Sequence, residues 1–100
     1  MIRHIVLWKF QEQAEGVNKA GNLRKARMML LGLKGKIPEV KSLEVGVVIP
    51  NTDQSYDLAL DSTFGSLNDL KAYQRHPEHL QVVHFLRKVQ SEKAVADFEI

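Results

Sequence analysis

The densest group of side chains able to do chemistry is the run Tyr73-Gln74-Arg75-His76-Pro77-Glu78-His79. Histidine is the side chain whose ordinary pKa suits general-base work near neutral pH. A tyrosine phenol beside it can donate a hydrogen bond to a carbonyl oxygen that gains charge as a neighbouring proton leaves. His76-Pro77 breaks a helical pattern, because the residue before proline is pushed out of the α region. Such a break would aim Tyr73 and His79 into the space beneath the helices. A plainer role competes with this one, since helix breaks leave orphan backbone groups that His76 and His79 could each satisfy. His4 is the second singular residue. It shares strand parity with Val6 and Trp8, so it reads either as a buried, hydrogen-bonded histidine or as part of the same site as His79.

Several chemistries find no residues to carry them. The chain has no cysteine, so thiolate metal sites, disulfides and cysteine nucleophiles are excluded. His76-x-x-His79 supplies two imidazoles where a zinc site needs three or four ligands, and no metal ion is expected. No glycine-rich phosphate loop or dinucleotide fingerprint is present, and no cofactor is expected. Haem or quinol chemistry lacks a distinct ligand signature. The basic residues Arg24, Lys25, Arg27, Lys34, Lys36 and Lys41 crowd one stretch that holds no aromatic residue. We read that stretch as a solvated helix face and not a nucleic-acid surface. No stretch approaches the roughly 20 apolar residues of a membrane span, and the amino terminus resembles neither a signal nor a transit peptide. A cytoplasmic protein with no membrane partner is the expectation.

The elements that must position these residues follow from periodicity. At 100 residues, with 44% hydrophobic and 26% charged side chains, one domain over 1–100 is expected. Residues 2–10 form a β-branched and aromatic run that is apolar at both parities, a central strand covered on both faces. Residues 11–16 read as a loop. A helical stripe of Leu23, Ala26, Leu30 and Leu33 follows over 17–34, with Gly35 as its stop. A second strand spans 42–49 with Leu43, Val45, Val47 and Ile49 on one face, then a turn over Pro50–Ser55, then a third strand at 56–64. Ser66-Leu67-Asn68-Asp69 reads as a capping box before a short helix. Pro77 opens another helix to about residue 90, and a last strand covers 93–100.

This β-α-β-β-α-β order is the α+β, ferredoxin-like arrangement, a four-stranded antiparallel sheet with helices on one face. The opposite face then carries too many apolar residues for water, among them Ile5, Leu7 and Val95. A sheet-to-sheet homodimer with two-fold symmetry accounts for it.

His4-Ile5-Val6-Leu7-Trp8-Lys9-Phe10, Phe64-x-Ser66-x-x-Asp69-Leu70-x-x-Tyr73, His76-Pro77-x-His79 and Val95-x-Asp97-Phe98 together resemble the stress-responsive A/B barrel (Dabb) family. The resemblance implies a ferredoxin-like protomer pairing through its sheet into a dimeric α+β barrel. The family includes a plant polyketide cyclase that works with a tyrosine and a histidine. By motif position those roles fall on Tyr73 and His79, with His4 as a further pocket histidine. Leu58 stands where that cyclase has another histidine, and Trp8 replaces a smaller residue on the strand that floors the cavity. The expected pocket is lined by His4, Val6, Trp8, His76 and Val83 around Tyr73 and His79, and takes a small apolar or carbonyl-bearing molecule. Its chemistry, if it turns anything over, is cofactor-free acid–base work of a lyase or isomerase. The other reading is a non-catalytic, structural or stress-associated oligomer.

Overall fold

The computed structural model describes residues 1–50 and 55–100. In chain order the elements are β1 (Ile2–Phe10), β2 (Gln13–Ala14), β3 (Val17–Asn18), α1 (Lys19–Lys36), β4 (Val40–Val47), β5 (Leu58–Phe64), α2 (Leu67–Arg75), α3 (Pro77–Val89) and β6 (Gln90–Glu99). The sheet order is β4-β5-β1-β6, every pairing antiparallel, which is the ferredoxin-like topology with β1 at the centre. The turn expected over Pro50–Ser55 falls mostly outside the described residues.

β1 alternates buried and half-buried residues along its whole length, as its two-sided apolar pattern requires. Ile2, His4, Val6, Trp8 and Phe10 face the helices, and Arg3, Ile5, Leu7 and Lys9 face the other way. Cross-strand partners share a face, so the pairs His4–Asp97, Val6–Val95 and Trp8–Lys93 place Asp97, Val95 and Lys93 on the helix side. That corrects the placement of Val95. The outward face instead carries Ile5, Leu7, Ala94, Ala96 and Phe98, flanked by the ion pairs Arg3–Asp61 at 3.4 Å and Lys9–Glu92 at 3.2 Å.

Three other expectations shift. Residues 13–18 form a small hairpin, because Glu15 (φ 54°) and Gly16 (φ 74°) turn the chain through two successive left-handed positions. The Asn22 amide donates to the carbonyls of Ala14 (3.1 Å) and Val17 (3.3 Å), tying the hairpin onto α1. Helix α1 runs through Gly35 to Lys36. Its end is set by Pro38, which holds Ile37 extended (φ −118°, ψ 108°). In β4 only Leu43 and Val45 of the expected face are buried, whereas Val47 and Ile49 lie beyond the cover of α1 and are exposed.

The core lies between the sheet and α1, with Leu23, Ala26, Leu30, Leu33 and Ile37 against Leu58, Leu60 and Phe64. Ser66 caps α2 by accepting from the Asp69 N–H at 3.1 Å, the N-cap half of the capping box expected there.

Candidate functional site

A cavity of about 320 Å³ opens between β1, β6 and the α2–α3 pair. Small-molecule sites range over about 300–1,000 Å³, so this one suits a small ligand. His4, Val6, Trp8, Tyr73, His79 and Val83 all line it. Trp8 forms part of the wall and leaves the space open. His76 does not line it. Its Nδ1 accepts from the Glu78 N–H at 3.1 Å, capping α3 across the break, and its own N–H donates to the Tyr73 carbonyl at 3.1 Å. Position in the fold therefore divides the two histidines of the motif: His76 holds the backbone, and His79 faces the cavity.

The His79 ring is fixed by Nδ1, which lies 3.1 Å from the Gln74 carbonyl oxygen. A carbonyl can only accept, so Nδ1 carries the proton and the neutral ring leaves Nε2 with a lone pair. Burial lowers the His79 pKa below the ordinary 6.5. The Gln74 hydrogen bond opposes this shift, and charge on His4, Lys93 and His76 adds to it. His79 is thus a neutral base near pH 7.

Tyr73 is fully buried, its ring centroid 4.4 Å from that of His79 and 4.9 Å from that of Phe64. Its hydroxyl has no hydrogen-bond partner, and an unpartnered buried hydroxyl costs about 1–3 kcal/mol. Burial raises its pKa, so it stays a protonated donor. Its hydroxyl is covered by protein atoms in this state, and a small side-chain shift is needed for it to reach a ligand. The indole N–H of Trp8 is likewise buried without a partner.

His4 is 6.3 Å from Tyr73 between ring centroids, edge to face, and its Nδ1 is hydrogen bonded to the Asp97 carboxylate. Inspection of the sequence missed Asp97, although the antiparallel register of two strands starting and ending the chain was the signal that could have found it. The same register brings Lys93 and Val95 to the cavity wall, and Gln74, Arg87 and Gln90 join them from the helices and the start of β6. Among the described residues no three of His, Asp and Glu gather as metal ligands would. The arrangement can remove a proton next to a carbonyl: His79 Nε2 accepts it while the Tyr73 hydroxyl, once shifted, donates to the oxygen that gains charge.

The family model described as Stress responsive A/B Barrel Domain matches residues 2–100. No curated protein matches the chain. Among solved structures, it is similar to a dimeric Bacteroides fragilis protein of unknown function with a ferredoxin-like fold, at 28% identity and TM-score 0.85, covering 99% of this chain and 95% of that one. It is also similar to a hypothetical Arabidopsis thaliana protein, at 27% identity and TM-score 0.71, covering 99% and 87% of the two chains. A hydroxynitrile lyase from Passiflora edulis shares the fold at 20% identity and TM-score 0.83, with 99% and 92% covered.

Proposed function

The chain belongs to the stress-responsive A/B barrel (Dabb) domain family, and from that premise we propose a homodimer whose protomers each bind a small carbonyl-bearing molecule. In this reading His79 Nε2 withdraws a proton from the carbon beside the carbonyl, and the Tyr73 hydroxyl stabilises the resulting enolate oxygen. Neither step needs a cofactor. The observation that carries the reading is the pairing of an imidazole tied at Nδ1 with an unpartnered phenol on the wall of one cavity. The apolar outward face of the sheet supports the dimer, and the Bacteroides fragilis relative is described as dimeric.

A structural reading draws on the complete burial of Tyr73, which packs between Phe64 and His79. Exchange of the α-protons of 2-octanone in D2O, followed by NMR, separates the two. We expect exchange above the buffer rate, reduced about 10²–10⁴-fold in His79→Ala and also reduced in Tyr73→Phe, with cooperative unfolding kept in both. Equal rates for the wild type and His79→Ala would remove the catalytic reading. Shifts of the Trp8 indole resonance without exchange would leave a binding protein. Sedimentation showing only monomer at micromolar concentration would overturn the dimer.

A further inference from the structure

Arg87 and Lys93 both line the cavity, and neither takes part in an ion pair among the described residues. Three acidic groups on neighbouring residues or their partners are engaged elsewhere. Glu92 faces the outer side of the sheet and pairs with Lys9 at 3.2 Å. Glu15 pairs with Lys88 at 3.7 Å, on the residue that follows Arg87. Asp97, the carboxylate on the helix side of β6, is held by His4 and lies four residues beyond Lys93. At the rise of a strand that is about 13 Å away. Among the described residues, no aspartate or glutamate lines the cavity.

Two solvent-exposed cations therefore flank a cavity lined by both apolar and polar side chains. Burial lowers the pKa of Lys93, and the charge of Arg87 adds to that effect. An anion held by both cations would offset their mutual repulsion. Trp8, the cross-strand partner of Lys93, also lines the cavity, its indole N–H buried. His79 and Arg87 are eight residues apart on α3, about 12 Å along the helix axis, and helical side chains lean back towards the amino terminus, which shortens the gap from the Arg87 side.

We propose that the ligand is an oxo acid, its carboxylate held by Arg87 and Lys93 and its carbonyl placed beside His79, where a shifted Tyr73 hydroxyl can reach it. This rests on the carbonyl-binding reading above and adds the second functional group and its position. A guanidinium and an ammonium converging on one carboxylate make charge-assisted hydrogen bonds. The apolar wall of Val6, Leu60, Val83 and Leu86 covers the chain between the two groups.

The test compares 7-oxooctanoate with 2-octanone, which differ only in a carboxylate replacing the terminal methyl. Titration followed by NMR gives both affinities. The oxo acid is expected to bind at least about tenfold tighter, and added salt should narrow the gap. In the double variant Arg87→Gln, Lys93→Gln the ratio of the two affinities should fall to about one. Equal affinities in the wild type, or a ratio unchanged in the variant, overturn the proposal while leaving a carbonyl pocket in place. If 7-oxooctyl phosphate alone gains over the ketone, the pair is a phosphate site and the carboxylate assignment is wrong. If none of the three ligands shifts the Trp8, Tyr73 or His79 resonances, the pocket reading fails and this inference falls with it.

Discussion

Two regions under the helices differ in how they are filled. Beneath α1, Ala26, Leu33 and the C-cap Ile37 are sealed from solvent. Beneath α2 and α3 there is a cavity, with an unpartnered phenol, an unpartnered indole N–H and two unpaired cations on its wall. The sequence difference between them is local. α1 is one unbroken helix of 18 residues, whereas the second helical segment is interrupted where Pro77 forces His76 into an extended conformation (φ −65°, ψ 136°). An unbroken amphipathic stripe can lie flat and exclude every gap. A broken one lifts side chains off the sheet, and the polar groups it strands there mark the place where a ligand has something to complete.

The sharpest way to break this contrast is to cut the same kind of group from each region. Leu33→Ala empties a sealed site and should cost about 2–5 kcal/mol in chemical denaturation. Val83→Ala removes methyl groups that already face a cavity, and should cost less than half as much. Equal losses would mean that the cavity is packed in solution and that the two regions do not differ.

The break itself can be tested next. His76→Ala removes the acceptor of the Glu78 N–H and should cost about 1 kcal/mol, with His76→Asn recovering most of it. A capping role predicts this loss with affinity for 2-octanone unchanged. Loss of binding without loss of stability would return His76 to the pocket wall.

How far the sequence carries this comparison depends on the range of the interactions. Periodicity over a few residues was enough for β1, whose two-sided apolar run showed its central place, and for the Ser66 cap and the break at His76. The grouping of His4, Trp8, Tyr73, His79 and Val83 came from the family resemblance, and all five line one cavity in the structure. Periodicity misled where a local stop signal competed with a stronger one, since Gly35 yields to Pro38 as the end of α1. It was silent on Asp97 and Lys93 and wrong on Val95, because their placement depends on register between distant strands. Asp97, Val95 and Lys93 reach the helix side only because β6 pairs with β1 in one particular alignment, and shifting that alignment by one residue would turn all three outward.

The smallest effect concerns proton binding by His79. Burial holds its pKa below 6.5 in the folded protein, while the unfolded chain titrates near the ordinary value. Below about pH 6.5 the unfolded chain therefore binds more protons than the folded one, and stability falls as pH falls. The loss begins near 6.5 and stops once pH is below the folded pKa, where both states are protonated. In His79→Gln this component is absent, so the wild type should lose more stability than the variant between pH 8 and pH 5 in otherwise matched denaturation curves. The same shift leaves more of Nε2 unprotonated than in an ordinary histidine at the same pH. If the two proteins lose stability in parallel across that interval, His79 titrates as a solvated imidazole. The α2–α3 region would then hold no more desolvated a polar group than the rest of the surface, and the cavity would be a packing fault with nothing tuned inside it.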